Sequence, residues 1–96
     1  MQEIIDNLVL KIKNRTIRLR DFSDILVEEK IDNSIKFISL LSENSDINNY
    51  LASFFNNSKY TEEEIIKKYG EIDGNILVSY ATVSYTHLTL PTICSV

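Results

Sequence analysis

The first 82 residues contain no histidine, cysteine, proline or tryptophan. Without histidine and cysteine, this part of the chain offers neither an imidazole base nor a thiol nucleophile. The single cysteine of the whole sequence, Cys94, excludes an internal disulfide. No stretch approaches the ~20 apolar residues that a membrane-spanning helix requires, and the acidic start MQEIIDNLVLKIKN differs from a secretory signal peptide. These absences predict a cytoplasmic protein with no membrane partner.

Basic residues are also scarce: ten Lys and Arg stand against fourteen Asp and Glu, for a net charge of −4. This balance argues against nucleic acid as a partner, because a phosphate backbone demands a basic surface. The densest basic run is KIKNRTIRLR, which has no acid and no interleaved aromatic residue for base stacking. A phosphate-binding patch is one interpretation. We favour a solvated connector whose charges are neutralised by nearby acids: Asp21, Asp24, Glu28 and Glu29.

The last fourteen residues, 83–96, differ sharply from the rest of the chain. They carry no Asp, Glu, Lys or Arg, and they hold its only histidine, proline and cysteine: His87, Pro91 and Cys94. His87 and Cys94 are the residue types that a catalytic base and nucleophile require. A composition break of this kind within one domain indicates two origins for one reading frame.

The stretch VSYTHLTLPT, residues 83–92, resembles a translated sequencing adapter, the transposase mosaic end of tagmentation libraries. The adapter text GTC TCT TAT ACA CAT CTG ACG CTG CCG ACG encodes these residues in this frame, and its preceding bases fall in the Thr82 codon. A short index followed by GTGTAG accounts for the length of the remainder, for Val96 and for a stop. The resemblance implies that residues 83–96 are not native, that His87 and Cys94 carry no chemistry, and that the chain is a truncated N-terminal fragment.

Hydrophobic periodicity before this tail is mostly helical. In the first segment, apolar residues recur on one face at the spacing of a helix, and later segments begin at capping residues. We expect a second helix from near Asp21, a third capped by Asp32, and a fourth capped by Ser45 or Asp46. NRTIRLRDF, between the first two helices, breaks the pattern and predicts a short extended connector or edge strand. The polar stretch NNSK is expected to end the fourth helix.

TEEEIIKKYG is the clearest local unit. Thr61 and Glu64 have the spacing of a capping box, and Gly70 is placed to end the helix. The acids Glu62–Glu64 lie at the positive helix end and two lysines at the negative end. A metal site is the alternative for the three glutamates, but hard metals need oxygen ligands that converge from several segments. We therefore predict no metal site.

Asp73 and Gly74 form a turn signal before GNILVSYAT, which predicts a β-strand over residues 73–82. A buried strand followed by a turn begins many phosphate-binding α/β domains. ILVSYAT, residues 76–82, resembles the first strand of a flavodoxin-like domain and, more faintly, the strand before the P-loop of helicase-type ATPases. The resemblance implies a flavin or nucleotide cofactor in a longer protein and none in the fragment. It names no cofactor-contacting residue.

The predicted fold class is therefore mainly α: a cluster of four or five short helices, then one strand, with a spurious hairpin between that strand and the tail as one option. The predicted domains are a helical region over 1–72, the first strand of a missing α/β domain over 73–82, and an adapter-derived tail over 83–96. The aromatic stripe Tyr50, Phe54 and Phe55 fits either a core or a partner-binding groove, and we favour the core.

Two functions stay open at this point. One is a helical interaction or regulatory module with no chemistry of its own, whose partner is a protein. The other is the leading segment of an enzyme with an α/β domain that binds a flavin or a nucleotide phosphate. The native residues show no catalytic constellation, so no catalytic residue is assigned and the fragment itself is predicted to be inactive.

Overall fold

The computed structural model describes residues 1–55 and 60–84, and the backbone of residues 88–89. Within these ranges two short strands, β1 (Tyr60–Thr61) and β2 (Leu88–Thr89), pair in parallel. The fold is mainly α, as predicted. The predicted break over NNSK and the tail residues His87, Pro91 and Cys94 lie outside the described ranges. The helices are α1 (Gln2–Lys13), α2 (Leu19–Glu28), α3 (Ser34–Leu41), α4 (Ser45–Ala52), α5 (Glu62–Tyr69) and α6 (Glu71–Ser84).

The strand predicted over residues 73–82 is wrong, because the whole stretch lies inside α6. Buried residues cover most of the circumference of this helix, including Ile76, Leu77 and Tyr80, while Glu71, Ile72 and Asn75 are exposed. A helix with so wide a buried face shows only a weak 3.6-residue pattern, and its short apolar run cannot be told from a buried strand by periodicity. The described residues thus contain six helices rather than four or five. The optional hairpin with residues 76–81 is also wrong, since β2 pairs with β1.

Gly74 does not form the predicted turn but lies where α5 and α6 approach each other closely. A Cβ atom at this position would stand 2.9 Å from Ile66 Cδ1, 3.1 Å from Ile66 Cα and 3.3 Å from the Ile65 carbonyl oxygen. These distances are shorter than ordinary van der Waals contacts. The glycine is therefore required by packing between helices and not by backbone conformation.

α6 is the central element of the described fold. It packs against α5, α3 and α2, whereas α1 packs mainly against α4. One hydrophobic core joins these helices and runs in sequence from Leu8 to Ala81, with Phe22, Ile38 and Leu51 among its fully buried side chains. The core is thus assembled from both ends of the region that precedes the tail.

The helix ends follow local capping rules, with small shifts from the predicted positions. Asn33 and Asn44 cap α3 and α4 through their side-chain oxygens, each one or two residues from the predicted cap. Thr61 and Glu64 form the predicted capping box, with bonds of 2.8 Å from Thr61 N–H to Glu64 Oε1 and 3.2 Å from Glu64 N–H to Thr61 Oγ1. Gly70 ends α5 at φ +89° and ψ 166°, a conformation that is essentially restricted to glycine.

Deletion of residues 85–96 should change the thermal midpoint by less than about 5 °C, which corresponds to about 1 kcal/mol in a domain of this size. Among the described residues every buried hydrophobic side chain precedes residue 82, and the described contacts that the deletion removes are those of β2 with β1 and α6. The cut spares Val83 and Ser84 because they form the last turn of α6. Thermal unfolding followed by circular dichroism checks this, and a midpoint at least 10 °C lower would show that the tail belongs to the fold.

Candidate functional site

The aromatic stripe lies in and around the core. Tyr50 stacks on Phe22 with ring centroids 6.0 Å apart and meets the edge of Phe54 at 5.2 Å. Phe55 is 1% exposed and contacts the Tyr80 ring at a centroid distance of 6.0 Å. Phe55 therefore belongs to the core, and the half-buried Tyr50 and Phe54 pack against it, as the core interpretation predicted.

The basic connector folds back onto acids of the chain. Arg18 donates from its backbone N–H to Asp21 Oδ2 at 2.8 Å and from its guanidinium to Oδ1 at 3.2 Å, and Lys11 Nζ lies 3.4 Å from the same Oδ1. Arg20 Nε donates to Asp73 at 2.8 Å. Asp21 thus neutralises the connector as predicted, whereas the partner of Arg20 is an acid of α6. Pairing of these three cations leaves less positive charge free for phosphate.

Asp21 is the buried member of this cluster, with its side chain 5% exposed. It occupies the third position of α2, where its carboxylate accepts a hydrogen bond from the backbone N–H of the N-cap residue Arg18, which explains why α2 begins at Leu19 rather than at Asp21. Burial alone raises the pKa of this carboxyl. The hydrogen bonds from the backbone and guanidinium of Arg18, together with the positive charge of Lys11, outweigh burial and hold its pKa below the ordinary value.

Asp21→Ala should lower the free energy of unfolding by about 1–3 kcal/mol at neutral pH, because it removes the cap and the charged hydrogen bonds. Asp21→Asn is the matched variant that keeps an acceptor but loses the charge, and we expect a smaller loss. The contribution of the charge is fully present above the ordinary aspartate pKa of about 3.9 and disappears as pH falls through the lowered folded value. Urea unfolding from neutral to acidic pH checks this, since the difference between wild type and Asp21→Asn should shrink in acid. A difference that grows in acid would contradict the assignment.

Tyr50 is another polar group in this region whose pKa is displaced. Burial, followed by the negative charges of Asp21 and Asp73, raises the pKa of Tyr50 to about 12. Its hydroxyl therefore stays protonated at neutral pH and is unsuited to act as a base. The cluster stabilises the junction between the connector and α2 and does not resemble an acid–base pair.

A groove opens between α1 and α2, which we call the α1–α2 groove. It encloses about 450 Å³, and its lining includes the aliphatic side chains Ile4, Leu8 and Ile25. Because α1 packs mainly on α4 and α2 packs on α6, the seam between α1 and α2 is left open. Its aliphatic floor includes Leu8, which is 1% exposed, and the half-buried Ile4 and Ile25. This geometry offers a small apolar surface, bordered by the polar side chains of the lining, to a bound segment.

Three exposed glutamates line the same groove: Glu3 on α1, and Glu28 and Glu29 at the end of α2. Lys11 is the one cation in the lining, and its ammonium group is directed to Asp21. No ion pair among the described residues includes any of the three glutamates. The groove therefore combines an apolar floor with a negatively charged rim.

Known proteins give no further guide. Comparison of the chain with protein-family models, curated proteins and solved structures finds no match.

Two further observations concern the described ranges only. None of the helices in residues 1–55 and 60–84 is long and apolar enough to cross a membrane. No group of three or more His, Cys, Asp or Glu side chains in the same ranges converges as metal ligands do. The glutamates Glu62–Glu64 lie instead in the first turn of α5, where Glu64 is held by the capping box.

A second, smaller groove lies where α2, α3 and α6 meet. The side chains of Val27 and Ile72, 77% and 54% exposed, line it, and a 3.0 Å hydrogen bond between Ser34 and Ser79 crosses its wall. It lacks a charged rim, so nothing in it selects one class of partner over another.

The α1–α2 groove was not predicted from the sequence, which indicated Glu28 and Glu29 as acids that neutralise the connector. Among the described residues neither glutamate forms an ion pair with a connector cation, although Lys11 of the connector lines the same groove. One sequence signal points to them. Acids at the C-terminal end of a helix oppose its dipole, and the last turn of α2 has no basic residue.

Proposed function

We propose that this chain is a non-catalytic helical interaction module that holds a segment of a partner protein in the α1–α2 groove. The supporting observation is the groove itself: an open aliphatic floor between two helices with a rim of exposed, internally unpaired glutamates. Amphipathic helices commonly bind in apolar grooves of this kind through side chains spaced three or four residues apart. The cytoplasmic location predicted from the sequence stays a prediction.

The competing proposal, a leading segment of a flavin- or nucleotide-dependent enzyme, depended on a strand at residues 76–82. That stretch is a helix at the centre of the cluster, and Ile76, Leu77 and Ala81 are buried by its neighbours. A buried helix does not present the loop that follows the first strand of an α/β domain. The proposal therefore has no structural support in this chain, and the interaction module is favoured.

A titration with a designed peptide tests the module. The probe is a neutral amphipathic helix with leucines at positions i, i+4, i+7 and glutamine elsewhere, added to isotope-labelled protein while amide and methyl NMR signals are recorded. We expect the shifted signals to cluster on Ile4, Leu8 and Ile25. Shifts that cluster around Val27 and Ile72 instead, or no shifts at millimolar peptide, would contradict the proposal.

Leu10 and Leu40 supply a matched pair of variants for this titration. Leu10 lines the α1–α2 groove and is 57% exposed, whereas Leu40 is 38% exposed and lies outside it. Leu10→Gln should weaken peptide binding about three- to tenfold, because it removes apolar surface that the peptide covers. Leu40→Gln should leave binding unchanged.

A further inference from the structure

We infer that the occupant of the α1–α2 groove is a basic amphipathic helix, in which aliphatic side chains on one face are flanked by lysine or arginine. This inference rests on the proposed function and specifies the chemistry of the partner. Two observations support it: the glutamates around the groove are all negatively charged, and two of them lie at the C-terminal end of α2.

The rim charge has one sign and is not neutralised within the groove. Glu3 stands on the α1 side and Glu28 and Glu29 on the α2 side, so acids flank the aliphatic floor on both walls. The one lysine of the lining is already bonded to Asp21 at 3.4 Å. Electrostatic complementarity across an interface favours a partner of opposite charge and suppresses partners of the same charge.

The two glutamates of α2 also stand where folding does not favour them. They occupy the last helical position and the C-cap, next to the negative end of the helix dipole; the last turn has no cation, and the nearest one in sequence, Lys30, lies beyond the C-cap. α5 shows the favourable arrangement, with three acids in its first turn and Lys67 and Lys68 in its last. Local rules that are broken without compensation inside the chain are expected at functional surfaces.

The dimensions of the walls match a short helix. The groove follows residues 3–11 of α1, which is about 12 Å at 1.5 Å per residue, and on the other side only the C-terminal end of α2 from Ile25 to Glu29. A partner helix of about two turns spans that length and places aliphatic anchors at i, i+4 and i+7 on one face. Basic residues beside those anchors reach both rims.

The same charge excludes the main alternatives. Nucleic acids and anionic membranes both present phosphate or carboxylate groups, which the rim glutamates repel. A neutral apolar helix covers the aliphatic floor but brings no cation to the rim glutamates. The observations therefore favour a basic protein segment over a polyanion.

Three peptides with identical leucine anchors and different flanking residues test the inference: one flanked by lysine, one by glutamine and one by glutamate. Fluorescence anisotropy should give the tightest binding for the lysine peptide, about tenfold tighter than the glutamine peptide, as expected for a few exposed ion pairs. The advantage should shrink at high salt because exposed charges are screened. Binding of the glutamine peptide in the groove with no lysine preference would overturn the inference but leave the proposed function standing. No binding of any peptide would overturn both.

Charge reversal provides the decisive variant. Glu28→Lys/Glu29→Lys should abolish the preference for the lysine peptide, a loss of about tenfold in affinity, and should transfer it to the glutamate peptide. The variant should fold at least as well as the wild type, because cations at a helix C-terminus agree with the dipole. A urea midpoint that stays equal or rises therefore separates lost binding from lost folding.

Asp32→Lys/Glu43→Lys is the control, since it changes the net charge by the same amount at two exposed acids that do not line the groove. We expect this variant to keep most of the lysine preference. An equal loss in both double variants would show that overall charge, not the rim, selects the peptide, and would overturn the inference. Binding to vesicles that contain phosphatidylserine, in competition with the lysine peptide, would also overturn it.

Discussion

Leu77→Ala should lower the free energy of unfolding by about 2–5 kcal/mol, and Ile76→Ala should lower it by a similar amount. Both side chains are 1% exposed, and both lie on α6, which packs against three other helices. Their joint burial excludes a strand that has one face in solvent. Successive side chains of a strand point to opposite faces, so a strand with one covered face would bury only one of the two neighbours.

Urea unfolding followed by far-UV circular dichroism measures both losses. Ile72→Ala is the matched control on the same helix, because Ile72 is 54% exposed and its truncation should stay within about 0.5 kcal/mol of wild type. Should either alanine variant fail to fold, Ile76→Val gives a smaller loss of about 0.5–1.5 kcal/mol. If alanine at one of positions 76 and 77 left the free energy of unfolding unchanged and alanine at the other lowered it strongly, the result would contradict a helical assignment.

Gly74→Val should lower the free energy of unfolding by about 2–3 kcal/mol, because the new side chain meets the backbone and side chain of Ile66 and forces α5 and α6 apart. Gly74→Ala should cost less, since the gain in helix propensity of about 1 kcal/mol offsets part of the contact. If Gly74 formed a turn instead, bulk at this position would be tolerated or would act through the backbone alone.

Gly70→Ala is the comparison for that result, because it isolates backbone strain from contact. No atom lies within 4 Å of a Cβ at Gly70, but the positive φ of +89° disfavours any L-residue. Thermal unfolding of the variants at positions 70 and 74 measures both effects. A larger side chain should lower the stability further at position 74 and should change it little at position 70. The same dependence on size at both positions would contradict the assigned roles.

The contrast between α5 and α6 shows where sequence reasoning succeeds. The ends of α5 follow from local chemistry: Thr61 and Glu64 cap one end and Gly70 closes the other, so the helix could be predicted without its neighbours. α6 follows from tertiary packing. Burial of most of its circumference weakens the amphipathic pattern, and the pair Asp73–Gly74 has the sequence of a turn. Only the close approach of Ile66 reveals why a glycine stands there.

The candidate site was hidden from the sequence for a related reason. The α1–α2 groove exists because α1 packs mainly on α4 and α2 packs on α6, and such helix pairings depend on the whole fold. The position of Glu28 and Glu29 against the dipole of α2 was visible in principle. It became informative only when the structure showed that neither residue pairs with the basic connector.

The helical state of residues 71–84 is the central claim, because it removes the basis for an α/β cofactor domain and leaves a helical interaction module as the favoured function. NMR assignment of the full chain tests it directly through the Cα chemical shifts of residues 73–81. We predict an unbroken series of shifts displaced in the helical direction, with proton contacts between residues three apart. Shifts displaced in the strand direction over residues 76–81, with contacts between successive residues only, would contradict the account.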